Sequence, residues 1–217
     1  LTVSLRSIYG GHNVVATDMR ECKALGEDGP FEVLNALDAT AMASVVARHH
    51  VDTIFNLVAL LSAVGERNPQ MAWQVNMGAL NNSLEVARQH HCALFTPSSI
   101  GAFGPTSPKD KTPQDTIMQP TTIYGVCKVT GELLSNYYHH KFGVDTRSVR
   151  FPGIISNVTL PGGGTTDYAV EIYYEAIRSG RFTCPVPSDV YMDMIYMPDA
   201  LRACVERIGP TLGDLLL

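Results

Sequence analysis

Residues 121–134 read TTIYGVCKVTGELL, and they place Tyr124 and Lys128 four positions apart at the start of a predicted helix. Side chains at that spacing lie on one face of a helix, so a phenol and an ammonium stand side by side. Lowering the pKa of a tyrosine from roughly 10 to about 7 requires about 4 kcal/mol in favour of the phenolate. A neighbouring ammonium and a cationic cofactor ring could supply that preference. The alternative interpretation is a surface tyrosine beside a solvated lysine.

Outward from this helix, short apolar strands alternate with helices along the chain. The predicted helices cover residues 1–9, 39–50, 67–90, 123–141, 166–179 and 198–208. The predicted strands cover residues 14–17, 31–34, 53–59, 93–96 and 145–151. Strands that are nearly all apolar and alternate with helices predict a parallel sheet covered on both faces. The predicted fold class is therefore α/β, a Rossmann-type doubly wound parallel sheet.

The composition argues against several classes of function. The 217 residues are 45% hydrophobic and 17% charged, and the net charge of -5 disfavours nucleic acid and anionic membranes as partners. No apolar run reaches the length of a membrane span. The five cysteines are scattered and have no CxxC spacing. They predict free thiols in a reducing, intracellular compartment and neither a disulfide framework nor a zinc site.

Histidine pairs follow three of the predicted helices. They are His49-His50, His90-His91 and His139-His140. A histidine there can face the negative end of the helix and its free carbonyls. Capping or a surface position is favoured over metal binding, because adjacent side chains diverge around a helix and no carboxylate lies at ligand spacing. We therefore predict no metal site.

Ligands of a doubly wound sheet bind at the carboxyl ends of its strands. Asp18 ends one strand, where a carboxylate accepts hydrogen bonds from an adenosine ribose and repels a 2′-phosphate. This position favours NAD over NADP, although Arg20 is a mild counter-signal. Asn35 ends the next strand, where its amide can reach an adenine edge. The apolar run 57–59 ends the following strand, where the cofactor backbone would pass.

The glycine fingerprint that normally lies about 20 residues before such an acidic residue is absent. Only 17 residues precede Asp18. On this fold, the first strand and the pyrophosphate-binding turn are expected to lie before Leu1. We expect the sequence to be a truncated or partial chain.

Two further segments bear on the substrate. Ser98 and Ser99 follow the strand predicted over 93–96, and a hydroxyl there can donate to a substrate oxygen while Tyr124 removes the proton. The run Gly162-Gly163-Gly164 is not predicted to bind phosphate, because no Lys-Ser/Thr follows it. A turn that closes over a small substrate fits better. The methionines at 192, 194 and 197 are expected in core or lid packing.

Together these residues resemble the extended short-chain dehydrogenase/reductase superfamily, and more closely its epimerase-like L-threonine 3-dehydrogenase family. The resemblance covers residues 1 to about 208. It is carried by ALLSAVGE at 59–66, PSSIGAFGPT at 97–106, TIYG at 122–125, PGIIS at 152–156 and PGGGTTDYAV at 161–170.

This resemblance implies NAD-dependent oxidation of L-threonine at C3 to 2-amino-3-ketobutyrate. It implies Tyr124 as the general base, Lys128 as the group that lowers its pKa and holds the nicotinamide ribose, and Ser99 as the group that orients the substrate hydroxyl. The implied cofactor-binding residues are Asp18, Met19, Arg20, Asn35, Ala36, Leu57, Val58, Ala59, Asn76, Tyr124, Lys128, Pro152 and Ile154. The implied substrate-binding residues are Ser62, Ser98, Ser99, Tyr124, Thr165 and Thr166. Asn76 fits either a proton relay or a buried, helix-bending asparagine.

The same resemblance implies a NAD-binding Rossmann domain over 1–151 and a substrate-binding region over 152–217, interleaved with the last Rossmann elements. It implies a homodimer that pairs the helices at 67–90 and 123–141. The expected compartment is the mitochondrial matrix in a eukaryote and the cytoplasm in a bacterium. Two alternatives are a nucleotide-sugar 4-epimerase or dehydratase of the same superfamily, and a non-catalytic dinucleotide-sensing protein. The 162–166 run favours a small substrate, and the complete Ser-Tyr-Lys set disfavours a sensor.

Overall fold

Alternating helices and strands build the protein, as the sequence predicts. A computed structural model describes residues 1–156, 160, 164 and 166–208. Its helices are α1 (Thr2–Tyr9), α2 (Lys23–Glu27), α3 (Ala39–Arg48), α4 (Ser62–Arg67), α5 (Pro69–His90), α6 (Ile123–Phe142), α7 (Tyr168–Ser179) and α8 (Met197–Ile208). Its strands are β1 (Ala16–Asp18), β2 (Phe31–Val33), β3 (Thr53–Phe55), β4 (Ala93–Phe95), β5 (Ser98–Ser99), β6 (Thr146–Arg147), β7 (Arg150–Phe151), β8 (Gly153–Ile155) and β9 (Met194–Tyr196).

All the strand pairs of the described residues are parallel. Strand β1 pairs with β2, β4 lies between β3 and β6, β5 pairs with β7, and β8 pairs with β9. The backbone N–H groups of residues 94, 96 and 98 donate to the carbonyls of residues 145, 147 and 149 at 2.8, 3.0 and 2.9 Å. The segments β4–β5 and β6–β7 therefore run as one continuous pair. This confirms the strand predicted over 145–151, apart from a short irregularity at 148–149.

The strand predicted over 53–59 is wrong in length, because β3 ends at Phe55. The N–H of Asn56 still donates to Phe95 O at 2.9 Å. Pro97 then stands where the next N–H of the neighbouring strand would be needed, and proline has none. Asn56 O instead contacts Thr96 Oγ1 at 3.5 Å. Residues 56–61 consequently leave the sheet as a loop at its carboxyl edge.

Helices cover both faces of the central sheet. Leu94 and Phe95 are neighbours on β4 and point to opposite faces, as successive strand residues do. Leu94 joins a buried cluster formed with α3, α5 and α6. Phe95 joins a second cluster with Phe151 and with Ala200 and Cys204 of α8. Two covered faces are the mark of a doubly wound sheet, which confirms the predicted fold class.

Local capping sets the ends of the long helices. The Thr122 side chain accepts a hydrogen bond from the Gly125 N–H at 3.1 Å and begins α6, and Gly143 ends it with φ 70°. Asn68 caps α5, and Pro69 occupies its first turn. The helix predicted from residue 67 therefore starts at 69, and α4 precedes it as a separate short helix. Helix α2 and the strands β8 and β9 are not predicted by the sequence pattern.

The histidine pairs lie at helix ends, where the sequence places them. His91 caps α5 in a left-handed conformation with φ 57°. His49 Nε2 lies 2.8 Å from Glu32 Oε1, and His139 Nδ1 lies 2.9 Å from Val144 O. All five cysteines are free thiols, as predicted. None of the described helices is long and apolar enough to cross a membrane.

Candidate active site

Tyr124 and Lys128 lie in the first two turns of α6 and share one face, as their spacing predicts. The Lys128 Nζ atom lies 5.3 Å from the centre of the Tyr124 ring. The same nitrogen donates a hydrogen bond of 2.5 Å to Pro97 O at the carboxyl end of the sheet. The ammonium is thereby held between the strand ends and the phenol ring.

Ser99 joins this pair through a close approach of two backbones. The side chain of Ser99 accepts a hydrogen bond from the Gly101 N–H at 3.0 Å, and its hydroxyl also bonds to Tyr124. A Cβ atom added at Gly125 would lie 2.3 Å from Gly101 O, and one added at Gly101 would lie 3.3 Å from the Tyr124 ring. Glycine at both positions lets the start of α6 approach the segment after β5. The structure thus brings the three predicted catalytic residues together.

Burial dominates the titration of the phenol and the ammonium. It raises the pKa of Tyr124, and the hydrogen bond with Ser99 works in the opposite direction. Burial also lowers the pKa of Lys128 to about 8. The predicted lowering of the Tyr124 pKa by Lys128 is not seen in the protein alone, where burial of the phenol prevails and the opposing effect comes from Ser99. Positive charge brought close to the phenol would favour the phenolate.

An ion pair that the sequence analysis assigned no role lies one turn beyond Lys128. Arg150 donates from Nε and Nη2 to the two carboxylate oxygens of Glu132, at 2.9 and 2.7 Å. Ser98 donates its hydroxyl to the same carboxylate. Ser98 is buried and engaged with Glu132, so a substrate would meet Ser99 first. The repeat of residues 124, 128 and 132 along one helix face is the signal that points to Glu132.

Several of the predicted cofactor-binding residues line one pocket beside the sheet. The pocket is small, with a cavity volume of about 30 Å³, and Val58, Ala59, Asn76 and Lys128 all contribute to its lining. The Asn76 side chain is buried, and it accepts a hydrogen bond from Leu60 N at 2.7 Å and donates one to Leu60 O at 3.2 Å. Asn76 thus fixes the loop at 56–61 over the pocket. These two hydrogen bonds to the backbone of Leu60 favour a structural role for Asn76 over a role in a proton relay.

The predicted adenosine-binding residues lie on the separate β1–β2 pair and do not line this pocket. Asp18 is exposed at the end of β1, and one carboxylate oxygen accepts a hydrogen bond from the backbone N–H of Arg20 at 2.9 Å. The intervening Met19 is exposed. Asn35 follows β2, and its side chain accepts a hydrogen bond from Leu37 N at 3.0 Å. Its neighbour Ala36 accepts one from Asn82 Nδ2 at 2.9 Å.

The remaining predicted contacts lie near the ends of β3, β7 and β8. Leu57 is exposed on the loop that follows β3. Pro152 joins β7 to β8, where Ile154 is exposed. Thr166 packs against Gly153, since a Cβ atom at Gly153 would lie 2.7 Å from Thr166 Cγ2. Thr165 and the glycines at 162 and 163 lie outside the described residues.

Helix α4 is tied to the start of α6 by a contact that local sequence does not reveal. The Glu66 side chain accepts a hydrogen bond of 2.7 Å from Ile123 N, although the two residues are 57 positions apart. Ser62 begins the same short helix, one turn before Glu66. The predicted substrate residue Ser62 therefore belongs to an element anchored next to Tyr124.

Metal ligands are not grouped in the part of the chain that the structure describes. No set of three or more His, Cys, Asp or Glu side chains is arranged there to hold a metal ion. The polar groups at the site are those of a proton-transfer centre, with a hydroxyl, a phenol and an ammonium in contact or close to one another.

Comparison with known proteins identifies close relatives over almost the whole chain. The family described as "NAD dependent epimerase/dehydratase family" matches residues 3–208. An uncharacterized epimerase/dehydratase of Staphylococcus haemolyticus is 57% identical over 208 residues, which is 95% of this chain and 65% of that protein. The chain thus spans about two thirds of the length of this curated relative.

Solved structures are similar over nearly the same part of the chain. The L-threonine dehydrogenase of Clostridium difficile is similar with a TM-score of 0.90 and 53% identity, over 94% of this chain and 65% of that one. The holo form of a GalE-like L-threonine dehydrogenase from Cupriavidus necator is similar with a TM-score of 0.88 and 47% identity, over 94% of this chain and 67% of that one.

Proposed function

Because the chain belongs to the NAD dependent epimerase/dehydratase family, we propose that the protein oxidises L-threonine at C3 to 2-amino-3-ketobutyrate with NAD. The observation that carries the proposal is the cluster of Ser99, Tyr124 and Lys128, in which a hydroxyl, a phenol and an ammonium meet at the carboxyl ends of parallel strands. Such a cluster can orient an alcohol and remove its proton.

The proton and the hydride leave the substrate alcohol by different routes. Ser99 orients the C3 hydroxyl of threonine, and Tyr124 accepts its proton as the C–O bond becomes a carbonyl. A NAD molecule bound at this edge of the sheet would supply the acceptor for the hydride of C3. Lys128 stabilises the phenolate form of Tyr124 with positive charge, in a setting where burial alone opposes ionisation.

The residues at the strand ends fit a dinucleotide. Asp18 presents an exposed carboxylate where a ribose would bind, and the exposed apolar side chains of Leu57 and Val58 offer a surface over which a cofactor can pass. Lys128 lies beside Tyr124, where it would hold the nicotinamide ribose. We infer the same cofactor-binding role for Asn35, which is exposed just after β2, and for Ile154, which is exposed within β8.

The similarity to two L-threonine dehydrogenases, at 53% and 47% identity, supports threonine as the substrate. The curated relative carries only the broader description of epimerase/dehydratase. Because the chain covers 65% of that relative, we propose this activity for the whole protein. We assign Ser62 and Thr166, together with Thr165, to the ammonium and carboxylate of the amino acid.

The decisive experiment is NADH formation by the full-length protein with L-threonine as the only substrate. We expect strong turnover with NAD, weak turnover with NADP because the carboxylate of Asp18 repels a 2′-phosphate, and weak turnover with L-serine. The parallel assay offers UDP-galactose and follows its conversion to UDP-glucose.

No turnover on threonine would contradict the proposal. Conversion of UDP-galactose would then indicate a nucleotide-sugar epimerase of the same family. Retention of NAD without any reaction would indicate a dinucleotide sensor.

A further inference from the structure

We propose that Glu132 is a positioning residue that acts through Lys128: its carboxylate, fixed by Arg150 and Ser98, keeps the buried ammonium charged. This role rests on the proposed function, in which a charged Lys128 supports proton transfer by Tyr124. It adds a fourth group to the helix face that carries the reacting pair.

The first support is the placement of the two charges. Lys128 and Glu132 are one helical turn apart on α6 and line the same pocket. Of the described residues that line this pocket, they are the two that carry a charge at neutral pH. Opposite charges one turn apart on a helix attract each other, and the attraction is stronger where water is excluded.

The second support is the rigidity of the carboxylate. Arg150 donates a hydrogen bond to each carboxylate oxygen of Glu132, at 2.9 and 2.7 Å. The side chain of Arg150 is 17% exposed and that of Glu132 is 14% exposed. Ser98 donates a third hydrogen bond to the same carboxylate. Arg150 is itself held by a hydrogen bond of 2.8 Å to Gln114 O. A two-point Arg–carboxylate pair fixes orientation as well as charge.

The third support is the set of groups that face Lys128. Along α6 these are Tyr124, Cys127 and Glu132, and from the strand ends the Pro97 carbonyl accepts from Nζ. Burial lowers the pKa of Lys128 to about 8, while Cys127 and then Glu132 raise it. The Cys127 thiol is buried and its own pKa is raised, so it is neutral near pH 7. Glu132 is therefore the anion that favours the ammonium.

Loss of the Glu132 charge is expected to lower the pKa of Lys128. A negative charge near a lysine favours its protonated form, so removing the charge lowers the pKa of the lysine further. In a Glu132→Gln protein, Lys128 would then lose its proton at a lower pH than in the wild type. Part of the Lys128 population would be neutral near pH 7, and the positive charge beside Tyr124 would be weakened.

The test is an NMR titration of the full-length protein labelled with ¹³C at the lysine side chains, from about pH 6 to about pH 11. The Lys128 signal is assigned by its loss in Lys128→Met. We expect a midpoint of about 8 in the wild type and a midpoint lower by about one pH unit in Glu132→Gln.

The matched control is Glu85→Gln, which removes a carboxylate that is ion-paired with Arg88 on α5 and does not line the pocket. Its Lys128 midpoint is expected to equal that of the wild type. If Glu132→Gln does not fold, Glu132→Gln combined with Arg150→Met is compared with Arg150→Met alone, so that the two proteins differ only in the carboxylate. The Lys128 midpoint is expected to be lower in the double variant.

An unchanged Lys128 midpoint in Glu132→Gln, or equal midpoints in the double variant and Arg150→Met, would overturn the role of Glu132, even if threonine oxidation were lost. The titration needs neither cofactor nor substrate. A lowered midpoint in a protein that does not oxidise threonine would therefore support the electrostatic role of Glu132 and count against the proposed function alone.

Discussion

Tyr124 combines a buried phenol with a function that requires it to give up a proton. Burial raises its pKa, while the hydrogen bond with Ser99 works against that effect. Removal of a proton by a positioned base contributes typically 10²–10⁴-fold to a rate. We therefore predict that Tyr124→Phe lowers kcat/KM for NADH formation from L-threonine by roughly 10²–10⁴-fold. The unfolding temperature should change little, because only one hydroxyl is removed.

Tyr138 supplies the matched control on the same helix. Tyr138 lies ten positions after Lys128 on α6. Its hydroxyl donates a hydrogen bond of 2.5 Å to Glu85. Tyr138→Phe should cost about 1 kcal/mol of stability and leave turnover nearly unchanged. Near-normal turnover in Tyr124→Phe would contradict the role assigned to the phenol.

Single residues differ in how visible their roles are in the sequence. Tyr124 and Lys128 are predictable because helical periodicity alone puts them on one face. Ser99 is predictable because it ends a strand on a sheet whose carboxyl edge binds ligands. The hydrogen bond from Ile123 N to Glu66 is not predictable, because only the folded chain brings together residues 57 positions apart.

At the scale of elements, the contact between the start of α6 and the segment after β5 decides the geometry of the site. A Cβ atom at Gly125 would lie 2.3 Å from Gly101 O and 2.5 Å from Pro120 Cβ. The helix would have to move away from β5 to accept it. We predict that Gly125→Ala separates Tyr124 from Ser99 and lowers kcat about 10²-fold, the loss typical of a displacement of about 1 Å.

Gly26→Ala is the control for this substitution, because its added Cβ would lie 4.0 Å from the nearest atom, an ordinary contact with Phe31. It should keep the kcat of the wild type. Steady-state kinetics of both variants, with circular dichroism to confirm folding, make the comparison. Equal kcat values for the two variants would show that the close approach at Gly125 is not needed.

The length of a strand is harder to predict from the sequence than its existence. Residues 53–59 are almost continuously apolar, and an apolar run alone predicts one strand. Pairing stops β3 at Phe55, because Pro97 on the neighbouring chain segment has no N–H to offer. The apolar residues beyond Phe55 then form a loop at the edge where ligands bind. Periodicity predicts burial, but the ends of strands depend on the partner strand.

For the molecule as a whole, we propose a homodimer formed through α5 and α6. Both helices carry exposed apolar side chains, among them Trp73, Val126, Leu133 and Tyr137. We predict that the full-length protein sediments as a dimer and that Leu133→Glu, at a side chain 62% exposed, shifts it toward the monomer. A charge placed in an apolar interface would have to be desolvated without a partner.

Ile177→Glu on α7 is the control for the interface. This side chain is 89% exposed on a helix outside the α5–α6 pair, and the variant should remain dimeric. Analytical ultracentrifugation over a range of protein concentrations measures both variants. A wild-type protein that sediments as a monomer would rule out the proposed dimer.

The pair formed by Glu132 and Arg150 has one further consequence. Its side chains are only 14% and 17% exposed, so dissolved ions cannot crowd around them as they do around charges on the surface. Screening by salt acts mainly on solvent-exposed charges and much less on buried ones. We therefore expect the pKa of the Lys128 ammonium to depend little on the ionic strength of the medium.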